Sequence, residues 1–310
     1  MTKTPKVDLV GVGLNATDTL IQIERFPAPG SKVEYSSQEI LPGGQAATTV
    51  IACALWGLKT RYVGKLGDDA AAELHKRAFA DAHVDARLIQ VEGAASPQSL
   101  ILVDGEGERT VLCRRNERLT MDPHELEREW ITSARLLHTD GRDTEAATRA
   151  AQWAHEAGIP VVADLDEIYP EIDNLLAVID YVIVSRDFPT RYTGQTNLTS
   201  ALKEMHTRFD AKLVAATLGA EGVLAWDGEE LLHVPAYRVP ARDTTGAGDV
   251  FHAGFIYGLL QGWPLKRELE FACAAAALNC LSLGARGIRS VAEIEELMSN
   301  GVRHTAGRWS

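Results

Sequence analysis

The sequence predicts an α/β fold: a mainly parallel sheet with helices on both faces, carrying a small second β-sheet outside it. Three observations predict this. Strand-like apolar runs alternate with helical runs along most of the 310 residues, the rhythm of βαβ units. Two segments, Thr17–Glu39 and Ser99–Arg115, break that rhythm with period-two alternation around Pro and Gly turns. And a composition of 45% hydrophobic and 24% charged residues belongs to a globular chain able to bury a large core.

In order, Lys6–Gly13 (KVDLVGVG) reads as a strand ending in glycines, and Gln45–Gly57 as a helix rich in small residues that stops at Gly57. Thr60–Lys65 is the next strand and Ala70–Ala82 a helix. Ser133–His138 leads into a loop, and Thr144–Ala157 is helical. Ile159–Asp164, Ala177–Ser185 and Lys212–Leu218 are strands, followed by two long helices, Asp249–Leu260 and Leu265–Ser282. Ser99–Arg115 is a hairpin with DGEGE at its tip. With Thr17–Glu39 it is expected to form a small antiparallel sheet standing outside the core as a lid. No repeat, low-complexity tract or long linker interrupts the chain, so residues 1–310 are expected to be one domain with lid segments at about 17–39 and 99–115.

Charge narrows the function classes. Thirty-one Lys and Arg stand against 43 Asp and Glu, a formal charge of −12. That sign argues against nucleic acid or an anionic membrane as a partner, though not against a small anionic ligand. The N-terminal apolar run is too short for a secretory signal core, and no stretch approaches the roughly 18 apolar residues of a membrane helix. Cys53, Cys113, Cys273 and Cys280 form no Cys-x-x-Cys pair and read as reduced thiols, so a cytoplasmic protein is expected. The nine histidines show no zinc-site spacing.

The most informative segment is Asp243–Asp249, DTTGAGD, opening a helix on which Phe251, Phe255 and Leu259 recur every four residues. Gly246, Ala247 and Gly248 have little side chain, so their amides can converge on one point at a helix N-terminus, where the dipole favours an anion. Asp249 at its edge is unsuited to bind that anion. It suits a base that removes a proton from a hydroxyl attacking it. Together these are the parts phosphoryl transfer needs, although a capped helix start would also explain them. A second glycine pair, Gly43 and Gly44 in LPGGQAAT, leads into a helix whose Gln45 and Thr48 share a face and can bond hydroxyls. Asp18 can accept two hydroxyls, and an isolated surface Asp is the alternative. Gly11-Val12-Gly13-Leu14-Asn15-Ala16 matches a dinucleotide fingerprint, but the alternating residues and Pro27, Pro29 and Gly30 that follow are not a helix. LGAEG at 218–222 reads as a strand–turn–strand, and Ala272–Cys280 as a helix slender enough to leave room for a planar base or to pack closely.

At this point the residues resemble a family. GGQAATTVIACALWGLKTRYVGKLGDD is similar to the first signature of the PfkB (ribokinase-like) carbohydrate kinases and DTTGAGDVFHAGF to the second, with TLGAEG between them, over nearly the whole chain. The resemblance implies a three-layer α/β/α sandwich with a mainly parallel central sheet and a small β-sheet lid that often mediates dimers, here a homodimer. It implies ATP-dependent phosphorylation of a primary hydroxyl of a sugar, with Mg²⁺ on the phosphates and, in many members, K⁺ beside the second motif, where Asp243 and Thr245 stand. Asp249 then takes the place of the base, and Gly246–Gly248 that of the anion hole. Asp18, Gly43, Gly44, Gln45 and Thr48 fall where sugar hydroxyls are held. Thr217, Gly219, Gly222 and Cys273 fall along the nucleotide groove.

Some residues depart from the ribokinase pattern. Gln45 and Thr48 replace the usual Lys or Asn and Asn, and SRDF (Ser185–Phe188) replaces Asn-x-x-Glu. Ser185-Arg186-Asp187, HTDGRD (His138–Asp143), the seven-residue spacing of Cys273 and Cys280, and Arg109 in GERTVL resemble ketohexokinases instead, which points to a ketose-type acceptor. Lys32, Arg114, Arg115 and Arg142 would suit an anionic sugar, or are solvated surface charge. A nucleoside kinase, a phospho- or sulfo-sugar kinase, and a catalytically silent sugar-binding regulator are the alternatives.

Overall fold

The computed structural model describes residues 5–105, 109–305 and 307. Its strands are β1 (Val7–Val12), β2 (Ala16–Ile23), β3 (Tyr35–Gly43), β4 (Thr60–Leu66), β5 (Asp85–Gln90), β6 (Gln98–Val103) and β7 (Arg109–Arg114). Then come β8 (Ala134–Thr139), β9 (Val161–Leu165), β10 (Tyr181–Ser185), β11 (Leu213–Thr217), β12 (Val223–Trp226) and β13 (Leu231–Val234). The helices are α1 (Gln45–Leu55), α2 (Ala70–Asp81), α3 (Arg128–Thr132), α4 (Thr144–Glu156) and α5 (Ile172–Leu176). They continue as α6 (Phe188–Thr193), α7 (Leu198–Phe209), α8 (Ala247–Gln261), α9 (Leu265–Asn279) and α10 (Val291–Asn300).

Among the described residues nine strands form one sheet in the order β13-β12-β11-β10-β9-β8-β1-β4-β5. All neighbours are parallel except at the β11–β12–β13 end. Both faces are covered, as the near-continuous apolar strands require. On β10, Ile183 faces one apolar layer and Val182 and Val184 the other. One layer is built on α1, α8 and α9; the other on α4, α5 and α7. The molecule is therefore a three-layer α/β/α sandwich. The first half of α8 is braced by α1: Thr49 donates to the Asp249 carbonyl at 3.0 Å, and the Cys53 thiol to that of Ala253 at 3.6 Å.

The second sheet has the order β3-β2-β6-β7. It corrects the expectation of an all-antiparallel lid, because β2 and β6 run parallel, with Asp18 opposite Ser99. The chain leaves β2–β3, passes through α1, β4, α2 and β5, and returns to the lid from the end at which it first entered. The flanking pairs are antiparallel as expected. Part of the expected DGEGE tip, residues 106–108, lies outside the described residues.

Several elements have weak sequence signals. Edge strand β5 (DARLIQ) carries charge, its Asp85 pairing with Arg87 on the same strand and with the buried Arg61 of β4. Helix α7 starts at an Asn197 cap that accepts from Ser200 at 2.9 Å. Helix α10 starts at a Ser290–Glu293 capping box. Gly11–Ala16 is followed by strand β2, so the dinucleotide fingerprint lacks its helix.

Candidate active site

Helix α8 begins at Gly246, whose φ of 73° lies in the left-handed region. A Cβ at Gly246 would stand 2.5 Å from the Ala285 backbone, so only glycine fits there. Ala247 donates to the Thr244 carbonyl at 3.2 Å. That weakens its part in a three-amide cradle. The amides of Gly246 and Gly248 have no acceptor among the described residues. They stand at the positive end of a 15-residue helix.

Asp249 is the third residue of that helix and is half-buried. Burial, then the carboxylate of Asp164, hold its carboxyl above the ordinary range, and His252 opposes them. A carboxylate crowded in this way binds a proton more strongly and is a better base.

A groove of about 250 Å³ reaches this turn from the β11–β13 side. Thr217, Gly219, Gly222 and Cys273 all line it, with Ala276 and Ala277 of α9 along one wall and Ala247 and Gly248 at the α8 end. Its walls are mostly apolar and small, which suits a planar base. Cys273 and Cys280 lie along it, and burial pushes their thiols up to about 12 and about 11. They act as small apolar groups rather than nucleophiles. Ser185 stands apart at the end of β10, its hydroxyl 3.5 Å from the Asp166 carbonyl, and is not among the lining residues. Among the described residues no group of three His, Cys, Asp or Glu side chains is arranged to hold a metal.

On the other side of Asp249 lie Asp18, Gly43, Gly44 and Gln45. Asp18 is buried on β2, and its carboxyl is pushed up to about 6 by burial, against a Ser99 hydrogen bond and the Arg286 guanidinium. A Cβ at Gly43 would lie 2.1 Å from Asp18 Oδ2, so the glycine is what lets this carboxylate sit against the helix start. Gly44 caps α1. The Gln45 side chain hydrogen-bonds Asp164. Thr48 departs from expectation: it is fully buried, and its Oγ1 accepts from Arg286 Nε at 3.4 Å. Arg286, arriving from the loop after α9, takes the face that the spacing reserved for a ligand.

Arg286 is the main residue that sequence reasoning missed. Its Nη2 donates to the Gly43 carbonyl at 3.0 Å, while Nη1 is buried without a partner among the described residues. Burial pulls its pKa down to about 10 against the pull of the Asp249 and Asp18 carboxylates. It is a largely buried cation set between the carboxyls of Asp18 and Asp249. Asp140 and Asp164 were also missed. Asp140 follows β8, accepting from Leu14 N at 2.6 Å and Arg142 N at 3.1 Å, and burial pushes it up to about 6. Asp164 lies in β9 and is held well above its usual range by burial and Asp166. A signal existed for both, because ligands of open parallel sheets bind beyond the carboxyl ends of the strands.

Arg142 lines a second cavity of about 350 Å³ with Gly13, Leu14, Asn15, Lys65, Arg115 and Tyr169. Arg109 lies outside both cavities: its Nη1 reaches from the lid to Thr245 Oγ1 at 3.3 Å. Asp243 and Thr245 tie the loop ahead of α8. Asp243 Oδ1 accepts from the Thr245 amide at 2.9 Å and its hydroxyl at 2.7 Å, and Oδ2 accepts from Gly284 N at 2.8 Å.

A carboxylate at a helix N-terminus, between an apolar groove and a carboxylate-lined recess, is an arrangement that suits phosphoryl transfer to a polyhydroxy acceptor. The chain matches the pfkB family of carbohydrate kinases over residues 1–290 and belongs to it. It is 28% identical to the ATP-dependent ribose-1-phosphate kinase of Halopiger xanaduensis, over 91% of this chain and 95% of that protein. It is 26% identical to the ketohexokinase of Mus musculus, over 89% of this chain and 97% of that one. The Arabidopsis thaliana ribokinase, solved with ribose and ATP, superposes with a TM-score of 0.80 at 25% identity, covering 95% of this chain and 99% of that one. The protein is an ATP-dependent carbohydrate kinase, with Mg²⁺ as the usual partner of the nucleotide.

Proposed function

We propose that the kinase transfers the γ-phosphate of ATP to a primary hydroxyl of a ketose or ribose-like sugar by in-line displacement. The observation that carries this reading is the position of Asp249, at the head of α8 between the apolar groove and the Asp18–Gly43 recess. Asp249 removes the proton from the attacking hydroxyl. The amides of Gly246 and Gly248 hold the charge that builds on the transferring group. Asp18, Gln45 and the Gly43–Gly44 turn hold the sugar, and the groove along Thr217, Gly219, Gly222 and Cys273 takes the nucleotide. Arg109, which already reaches Thr245, closes the lid over the phosphates. The test is ADP release with Mg-ATP across ketoses, aldopentoses, keto-deoxy acids, nucleosides and phosphorylated sugars, with Asp249→Asn beside it. Activity for one acceptor class, lost in the variant, supports the reading. A fully active variant overturns the assignment of the base.

K⁺ beside Asp243 and Thr245 belongs to the same proposal. Asn279 supports it: its Nδ2 holds the Thr245 carbonyl at 2.9 Å, while its buried Oδ1 lacks a partner among the described residues. Replacing K⁺ by Na⁺ in the assay should then lower activity. A homodimer through the lid is supported by Tyr35 and Ile40 on β3 and Val111 and Leu112 on β7, all exposed on unpaired edge strands. A monomer by sedimentation would refute it.

A further inference from the structure

The groove proposed for the nucleotide has a wall that neither signature segment supplies. Helix α10 ends at Asn300, and the next four residues turn back against the segment that follows β13. The turn is made at Gly301. A Cβ there would stand 2.4 Å from the Leu297 carbonyl and 2.9 Å from the Tyr237 ring, so only glycine lets the chain leave α10 this close to Tyr237. Residues 302–304 then pair with residues 236–238 as a short antiparallel ladder. Arg238 N donates to the Val302 carbonyl and His304 N to that of Ala236, both at 2.8 Å, and Tyr237 lies opposite Arg303. Arg303 pins the ladder. Its Nη1 donates to the Pro235 carbonyl at 3.0 Å and its Nη2 to the Tyr237 hydroxyl at 2.6 Å, and its guanidinium lies over the Tyr237 ring at 4.3 Å.

This ladder brings His304 to the groove, which it lines with Ala236 and Tyr237. It enters beside the β11–β12 turn, where a Cβ at Gly222 would stand 2.7 Å from Ala236 N. The imidazole is half-buried and has no hydrogen bond or ion pair among the described residues. Other polar side chains of the groove are already engaged. The Thr217 hydroxyl donates to the Val184 carbonyl at 3.3 Å, and the Tyr237 hydroxyl is turned to Arg303. The thiols of Cys273 and Cys280 donate to the carbonyls of Val234 at 3.8 Å and Ala276 at 3.3 Å. Thr244 stands on the loop into α8, next to the amides proposed for the phosphates. A small-walled apolar groove holds a planar base by shape, but it leaves the polar edge of that base without a partner, which is costly. His304 can meet that edge, because a neutral imidazole carries one donor and one acceptor.

Resting on the reading of this groove as the nucleotide site, we propose that His304 is a base-binding residue: its imidazole hydrogen-bonds the polar edge of a purine, with the Gly301–Arg303 ladder holding it at the base end of the groove. A pyrimidine is one ring shorter and does not reach it, so the contact selects purine over pyrimidine nucleotides.

The test is calorimetric binding of Mg-ADP and Mg-CDP, which needs neither acceptor nor turnover. The native chain is compared with His304→Ala, His304→Phe and Ala277→Leu, the last of which fills the groove itself. His304→Ala should weaken ADP binding about two- to tenfold, the size of one hydrogen bond, and narrow the preference for ADP over CDP by the same factor. His304→Phe keeps a ring on the ladder and removes both nitrogens, so it should lose as much. Unchanged ADP affinity in His304→Ala, or full affinity in His304→Phe, overturns the proposal. So does an equal loss for ADP and CDP, which places the contact on the ribose. The groove is judged separately. If Ala277→Leu weakens ADP binding and His304→Ala does not, the groove stands and the assignment of His304 falls. If neither variant weakens it, the nucleotide binds elsewhere and both readings fall. His304 joins the ladder through its backbone and is half-buried, so its variants should fold, with the melting temperature as the check.

Discussion

The two recesses that meet at Asp249 are built from opposite materials. The groove proposed for the nucleotide is walled by Ala276, Ala277, Cys273 and glycines. The acceptor side is crowded with Asp18, Asp140, Asp164 and Asp249, balanced by Arg286. The groove recognises by shape, since a planar base needs contact and space. The acceptor side recognises by charge and hydrogen bonds, since hydroxyls leave unpaired polar groups behind if they are misplaced. On the proposed reading, the difference teaches where specificity would reside: the groove could serve any sugar, and the carboxylate recess would be cut to one.

The largest effect that can break this comparison falls on the group shared by both sides. Asp249→Asn should lower kcat by about 10²–10⁴-fold with the affinity for ATP little changed, as for loss of a general base. The same variant should melt higher at neutral pH. A carboxyl whose pKa is raised on folding contributes stability below its unfolded pKa and loses it as pH rises through its folded pKa, so removing the charge stabilises. A lower melting temperature would mean that Asp249 is held by contacts of its own.

The next effect tests the groove. Ala277→Leu fills space expected to hold the base and should raise the KM for ATP by about tenfold, the scale of 1–2 kcal/mol of overpacking. The KM for the acceptor should stay put. An equal rise in both would mean that the two recesses are not independent.

On the acceptor side, Gly43→Ala drives a methyl group into the Asp18 carboxylate. It should raise the KM for the acceptor several-fold with little change in that for ATP, measured by initial rates. The smallest effect is in the pH profile. As the proposed base, Asp249 would have to be ionised to act, so activity should fall as pH drops through its pKa. The acid limb of kcat/KM should therefore lie above the usual carboxylate range. Asp164 is one of the groups that raises that pKa, so Asp164→Asn should move the limb to lower pH. An unmoved limb would show that burial alone sets the basicity of Asp249.

Much of this was legible along the chain. The β1, β4 and β9–β11 runs are apolar because they are buried on both faces. The DTTGAGD turn was legible because a helix start with free amides needs small residues in that order. Strand β5 and helices α7 and α10 were not, because edge and surface elements carry charge on their open sides. The lid was legible as strands but not as a sheet. Pairing β2 with β6 in parallel is a matter of how the chain returns from β5, and alternation along either strand is the same for both directions.

The site divides along the same line. Asp249, Gly246 and the Gly43–Gly44 turn are local features: a carboxylate on the first turn of a helix, the helix start itself and a tight approach each require particular residues at adjacent positions. These the sequence determined by itself. The placement of Arg286 against Thr48, 238 residues apart, and of Asp164 against Asp249 was decided only when the sheet assembled. A side chain's charge is written in its own letter, but its partner is set by the packing of segments far apart in the chain, and no spacing within one segment encodes that.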